Sequence, residues 1–272
     1  MKVKFWGVRG TCPVSGRDYV EYGGHTLCAS LEISEEEFVI IDAGTGMRRL
    51  GESLQEANRK KPLSFHIFLT HFHLDHIMGI PFFDPLYSPE NRLIFYAPAS
   101  PDETQEYLNA LMGSRFFPVE FRKALSRKTF RKAPEKDFQI GPTLISSCPL
   151  HHPQGSVAYR IKADRGSVVF ATDTEHPAEG LDQRLISFVR GADALVYDAM
   201  YTPAEYEAEK RGWGHSTWLE GTKVAREAAV RNLYLSHFNP SHSDSQIDEF
   251  IDLARKEFPR TSGAREGLLV FF

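Results

Sequence analysis

Apolar residues along this chain repeat with two periods, and the alternation between them outlines its elements. VKFWGV (3–8), LCASLEI (27–33) and EFVIIDA (37–43) are short, rich in β-branched and aromatic residues, and separated by Gly, Pro or Ser turns, so each predicts a strand. GMRRLGESLQEA (46–57) shifts to helical spacing, with Met47, Leu50, Leu54 and Ala57 on one face. FHIFLT (65–70) and RLIFYA (92–97) predict further strands. Ser100-Pro101-Asp102-Glu103 joins a capping-box spacing to proline at the first helical position, which marks a helix start. Beyond residue 141, strands TLISSC, VAYRIKA, SVVFAT, ALVYDA, LYLSHF and LLVFF interleave with helices. Those helices begin at Thr202-Pro203-Ala204-Glu205 and Thr217-Trp218-Leu219-Glu220, and another carries Ile247, Phe250, Ile251, Ala254 and Phe258 on one face. Runs of strands mixed with strand–helix alternation predict a layered α/β protein, with helices covering two packed sheets.

Composition narrows this picture. At 272 residues and 42% hydrophobic, one domain over 1–272 can bury a sizeable core without disulfides. A net charge of -4 excludes a chain that coats nucleic acid over its whole surface. Three scattered cysteines, Cys12, Cys28 and Cys148, with no Cys-x-x-Cys, argue against a disulfide framework or a cysteine zinc site and fit a reducing compartment. MKVKFWGVRG lacks the apolar core of a signal peptide, and no apolar run approaches the ~20 residues of a membrane span. The expectation is a cytoplasmic protein with no membrane partner. Charge is uneven, however: residues 115–136 hold eight Lys/Arg (Arg115, Arg122, Lys123, Arg127, Lys128, Arg131, Lys132, Lys136) against two Glu. That segment reads either as a solvated helical face or as an arm meeting an anionic substrate, and 101–140 is the expected insert or lid.

The candidate chemistry centres on THFHLDH, Thr70 to His76. His71 and His73 are two apart, so in an extended segment both rings point to one side, and Asp75 and His76 follow as the chain turns toward a helix. Four donors in six positions can face one cavity or divide between two adjacent metals. Several other apolar strands also end in a donor. SSCPLHHP brings His151 and His152, VVFATD ends on Asp173, LYLSH on His237, ALVYD on Asp198 and FVIID on Asp42. A single terminal Asp is usually a cap or turn former, but the coincidence across strands points to a shared site.

THFHLDH followed by Gly-Ile-Pro resembles the His-x-His-x-Asp-His signature of the metallo-β-lactamase fold hydrolases, and the later His, Asp and His come in that family's order. The resemblance implies a four-layer αββα sandwich with a dinuclear site at one edge. Carried over by position, His71, His73 and His152 hold one metal, Asp75, His76 and His237 hold the other, and Asp173 bridges them. His152 is chosen over His151 because HPQG matches the family's His-Pro-x-Gly turn. Asp42, in IIDAGTG, is expected to hold a metal-bound histidine from behind. An all-His/Asp set suits two divalent ions, zinc first and manganese or iron as alternatives.

DAMYTPAEYEAEKRGWGHST resembles the acid and the His-x-Ser/Thr segment of the ribonuclease Z branch and its small phosphodiesterase relatives. By that likeness, Asp198 partners His215, which protonates the leaving group or steadies the phosphate, while Asp75 also helps to hold the nucleophile's proton. Ribonuclease Z enzymes grip tRNA with a Gly/Pro-rich arm that residues 84–140 lack, so the expected substrate is a smaller phosphodiester, such as a cyclic nucleotide or cyclic phosphate. The alternatives are RNA processing, thioester or lactone hydrolysis, and metal-dependent nucleotide sensing without turnover. A homodimer is expected by resemblance. Arg9 is a candidate phosphate contact; His25 is expected at the surface, and His176 and His242 in exposed or capping positions, His242 near enough to His237 to line the site.

Overall fold

The protein is described by a computed structural model covering residues 2–57, 61–163 and 166–271. The N-terminal strand runs are β1 (Lys2–Gly7), β2 (Cys28–Glu32), β3 (Glu37–Ile41), β4 (Ser64–Phe68), β5 (Arg92–Ala97) and β6 (Arg127–Lys132). The C-terminal runs are β7 (Phe138–Ile140), β8 (Thr143–Leu150), β9 (Ser156–Ala163), β10 (Gly166–Ala171), β11 (Ala194–Asp198), β12 (Asn232–Ser236), β13 (Thr261–Gly263) and β14 (Leu269–Phe271). They form two seven-stranded sheets, ordered β14-β1-β2-β3-β4-β5-β6 and β13-β12-β11-β10-β9-β8-β7. Phe272 of the predicted LLVFF strand lies outside the described residues.

Each sheet combines an antiparallel part with a parallel part. In the first, β3 through β6 are parallel; in the second, β10 through β13 are. Parallel strands need crossovers, and helices supply them. α1 (Gly46–Glu56) buries Met47, Leu50 and Leu54, the positions its helical spacing singled out. α3 (Pro101–Leu111) starts at a complete capping box between Ser100 and Glu103. A single short turn, α2 (Leu74–Ile77), lies between them. On the other side lie α4 (Gln183–Val189), α5 (Pro203–Glu205), α6 (Trp218–Glu227) and α7 (Asp244–Glu257). α1 and α3 lie against the first sheet, while α4, α6 and α7 lie against the second. This is the expected four-layer αββα sandwich. Phe5, Phe68 and Tyr96 of one sheet share a single core with Tyr159, Phe170 and Leu195 of the other. Among the described residues, no helix is long and apolar enough to cross a membrane.

Residues 101–140, expected as an insert or lid, connect the sheets: α3 packs on β5 and β6, β6 closes one edge, and β7 opens the second sheet. The basic segment is not a helical face. Its centre is β6, paired in parallel with β5 from Arg92↔Arg127 to Ala97↔Lys132. Charged side chains on an edge strand discourage further strand pairing, which accounts for their density there. Arg122 and Lys123 pair with Glu120, and Lys132 pairs with Glu135. Lys128 donates to the Ala124 and Ser126 carbonyls, and Arg131 lies over the Tyr96 and Phe138 rings.

Arg9 also differs from expectation. Its guanidinium is fully buried, with Nε donating to the Gly23 carbonyl (2.8 Å) and Nη1 to the His242 carbonyl (2.7 Å). Nη2 pairs with Asp244 at 3.3 Å, and that carboxylate also accepts the backbone N–H of Glu21 at 2.7 Å. Arg9 therefore ties the 21–23 turn to the start of α7, and its complete burial keeps it from presenting a donor to a phosphate. Arg9→Met should lower the unfolding free energy by about 2–4 kcal/mol, because buried acceptors and a carboxylate lose their partner. Urea denaturation would register this as a lower midpoint; an unchanged midpoint would refute the clasp.

Candidate functional site

The site lies where strands from both sheets end. β3, β10 and β12 each turn sharply just past their last residue, and the turning residues are Asp42 (φ 54°), Asp173 (φ 58°) and His237 (φ 59°). Left-handed backbone is uncommon without glycine and carries a cost, which here aims three polar side chains across the sheet ends. Ligand crevices in open α/β sheets form outside the carboxyl ends of strands, and this crevice follows that rule. Backbone bonds join the two rims: Val157 N–H to the Thr70 carbonyl (3.1 Å), and Gly10 N–H to the Phe238 carbonyl (3.0 Å). Behind the site, α2 packs so closely that a Cβ on Gly79 would lie 1.9 Å from the Gly44 carbonyl oxygen. The glycines in IIDAGTG and HIMGIP are thus required by backbone contact.

Two groups of donors converge there, His71, His73 and His152 in one and Asp75, His76 and His237 in the other. In the first, His73 Nδ1 is 3.1 Å from His152 Nε2, while the buried His71 Nε2 has no hydrogen-bond partner among the described residues. In the second, His76 Nε2 lies 3.2 Å from His237 Nε2, and Asp75 Oδ2 lies 3.3 Å from that same His237 nitrogen. Asp173 stands between the groups. Its Oδ1 is 3.8 Å from His71 and 3.9 Å from His152, and its Oδ2 is 3.2 Å from His76 and 3.3 Å from His237. His151 is exposed, and its carbonyl accepts the Glu175 N–H.

Supporting contacts fix the rings. Asp42 Oδ2 is 2.9 Å from His76 Nδ1, and Asp42 also accepts the Thr70 N–H (2.8 Å). The Gly214 carbonyl accepts from His152 Nδ1 at 2.7 Å, and Thr70 Oγ1 lies 3.0 Å from His71 Nδ1. Rings held by one nitrogen present the other inward, as metal-ligating histidines do. Burial would raise the Asp173 carboxyl, but His237, His76 and His71 hold it well below the ordinary range. Asp75 is likewise held low against burial by His76 and His237. Ionised, water-excluded carboxylates among imidazoles with unsatisfied nitrogens form a donor set that suits a divalent cation.

Beside these groups, His215 Nδ1 lies 2.9 Å from Asp198 Oδ2 and 3.9 Å from Asp173 Oδ1. Asp198 additionally accepts the backbone N–H groups of Asp173 (2.9 Å) and Met200 (3.0 Å), so it orders two site loops as well as His215. Ser216 and Thr217 do not face the site: Ser216 Oγ bonds His176 and Tyr197, and Thr217 caps α6. His25 is half-buried against Thr45, and His176 is half-buried against Ser216. His242 is buried and turned to Glu205 at 2.8 Å, away from the donors.

Glu175 was not singled out by the sequence. Its carboxylate accepts the N–H groups of Gly212 (2.6 Å) and Gly214 (2.8 Å) and the Tyr206 hydroxyl (2.7 Å). It therefore grips the GWGHST loop that carries His215 and backs His152. The only sequence sign is its place two residues after Asp173.

An αββα sandwich with a His/Asp cation site at its sheet ends defines a class of metal-dependent hydrolase. The chain belongs to the beta-lactamase superfamily, whose domain description matches residues 38–238. A ribonuclease Z from Thermoplasma acidophilum is 24% identical over 274 aligned residues, covering 84% of this chain and 87% of that protein. The metallo-beta-lactamase fold protein YhfI from Bacillus subtilis superposes with a TM-score of 0.74 at 19% identity, covering 99% of this chain and 98% of its own. The short form of human tRNase Z superposes with a TM-score of 0.67 at 17% identity, over 100% of this chain and 99% of that one.

Glu175→Ala should lower hydrolytic turnover by ~10–100-fold, since small displacements of reacting groups cost that much. Metal content and melting temperature should change little, and Glu175→Gln, which keeps one acceptor oxygen and loses the other, should fall between Ala and the wild type. A loss of metal equal to the loss of rate would show that Glu175 acts on the cation groups and not on the loop.

Proposed function

We propose that this protein is a dinuclear metal-dependent phosphodiesterase acting on a small phosphodiester, such as a cyclic nucleotide or cyclic phosphate. The observation that carries the reading is the Asp198–His215 pair, held at 2.9 Å beside Asp173. In this assignment His71, His73 and His152 take one divalent ion, Asp75, His76 and His237 take the other, and Asp173 is shared. Zinc is the first expectation. Such ions, when bound, supply a nucleophile from water near neutral pH and neutralise phosphoryl oxygens.

The chain's own residues do the remaining work. With Nδ1 engaged by Asp198, the proton that His215 can transfer is on Nε2, available to the departing alkoxide. Burial disfavours the imidazolium, but Asp198 and Asp173 outweigh it and push its pKa up to about 9. His215 thus enters the reaction as an acid. Asp75 already accepts the Thr11 N–H at 2.7 Å, which fixes one oxygen and limits its part in handling a proton. A thioester, whose thiolate leaves readily, gains little from such an acid, so the pair favours a substrate with an alkoxide leaving group, as in a phosphodiester.

The ribonuclease Z relatives favour a nucleic acid, and RNA cleavage is the second reading. Against a long RNA stands the basic segment, in which Arg122, Lys123 and Lys132 are paired with glutamates and Arg131 lies on rings. Metal-loaded protein assayed side by side on cyclic nucleotides, 2′,3′-cyclic phosphates, short RNA and precursor tRNA should turn over the small diesters fastest. Chelation should abolish the activity. Metal content well below one ion per chain with no phosphodiester turnover after Zn, Mn or Fe loading would sink the proposal.

His215→Ala should slow poor leaving groups by ~10²–10⁴-fold and good ones far less. A raised folded pKa means that the acid is present at neutral pH and lost as pH rises through that value. Cations beside Asp173 oppose the imidazolium, so the alkaline limb should fall at or below about 9 and vanish in His215→Ala. Equal losses across leaving groups would remove His215 from the acid's role.

A further inference from the structure

Next to the first donor group opens a cavity of about 740 Å³, with His71 and His73 at one end. Its size falls in the ~300–1,000 Å³ range of small-molecule sites. Much of its wall comes from side chains that hold no cation in this assignment, in two short segments, one of them interleaved with the signature donors. Phe72, Leu74 and Ile77 follow the first histidine, and Tyr107, Ala110 and Leu111 form one side of α3. Phe72 and Tyr107 meet edge-to-face with ring centroids 4.9 Å apart. Leu74 is 57% exposed and Tyr107 42% exposed, so apolar surface faces water at the mouth.

The polar lining is equally informative. Among the described residues, no Lys or Arg lines the cavity. Its one carboxylate, Glu103, is committed to the α3 cap, accepting the Ser100 N–H (3.0 Å) and hydroxyl (2.6 Å). Gln154 is turned to His73 Nε2 at 3.0 Å. A further phosphate here would find no cation, whereas a flat ring would cover exposed leucine and stack on aromatic faces.

We propose that this cavity receives the non-reacting ester group of the substrate and selects an uncharged aromatic ring there, a nucleobase or an aryl group, over a continuing nucleic-acid strand. The proposal rests on the phosphodiesterase reading and narrows it. It ties specificity to α3 and to the residues between the signature histidines, and separates it from the basic segment.

The test uses metal-loaded protein and p-nitrophenyl phosphodiesters with one constant leaving group. The second ester is methyl, phenyl, 2-naphthyl, thymidin-5′-yl, or thymidin-5′-yl carrying a 3′-phosphate. kcat/KM should rise by about tenfold or more from methyl to the ring-bearing esters and fall again when the 3′-phosphate is added. Ala110→Trp, on the exposed side of α3, and Tyr107→Ala should each shrink the ring-to-methyl ratio to within about twofold, with unchanged melting temperature. Calorimetry should rank 2-naphthylphosphonate above methylphosphonate as a ligand of the wild-type protein. Turnover of all esters at similar rates, or a ratio unmoved by Ala110→Trp, overturns this inference alone. A faster 3′-phosphorylated ester overturns it in favour of a strand. Absence of turnover across the whole series overturns the phosphodiesterase reading and this inference together.

Discussion

Four carboxylates, Asp42, Asp75, Asp173 and Asp198, are buried at the sheet ends, and among the described residues the ion-pair partners of all four are imidazoles. Isolated buried carboxylates are strongly disfavoured, so their charge must be balanced locally. Histidines can provide that balance by holding protons, or they can release those protons and let divalent ions take over. A permanent Lys or Arg partner would block the exchange. Much of the surrounding structure follows from keeping this charge cluster compact, dry and open to a cation.

Geometry serves the same end. The left-handed residues Asp42, Asp173 and His237 sit in strained backbone at the ends of β3, β10 and β12. Strain of that kind persists only where neighbours over-determine it. Here the neighbours are the carboxylates themselves: Asp42 accepts the Thr70 N–H, and Asp198 accepts the Asp173 N–H. Each acid thus fixes backbone as well as charge. Replacing one would disturb both, so the cluster behaves as a unit.

Local and distant signals account for what the sequence disclosed. The strands and helices were legible because period and capping act over a few residues: Ser100–Glu103 is a capping box in the chain and in the fold. THFHLDH was legible because four donors occupy one turn, and the remaining donors because each ends an apolar strand. Glu175 was not legible, since its partners are backbone N–H groups 37 and 39 residues away and leave no residue-type signature. Arg9 was misread because a buried arginine looks the same in sequence as a ligand-facing one; its carbonyl partner at His242 is 233 residues away. The basic segment was misread because charge density alone does not tell a helix face from an edge strand such as β6.

The distribution of these residues separates two tasks. Most groups that gather cations follow strand ends above a shared core, and Asp75 and His76 join them from the buried turn of α2. Side chains able to meet the rest of a substrate are the exposed Leu74 at the start of α2, Tyr107 and Ala110 on α3, and His215 on the 212–215 loop. Gly212 and Gly214 both have positive φ, and the Cβ of any larger residue at 214 would lie 2.5 Å from His152 Nδ1. That loop therefore cannot be stiffened by substitution in place and depends on the Glu175 grip. The sheet ends carry the cation donors, and the exposed side of α3 stands apart from them. Changing α3 leaves the buried charge balance untouched, whereas the glycine loop carries the His215 partner of Asp198 and the carbonyl that holds His152, so it varies only together with that balance.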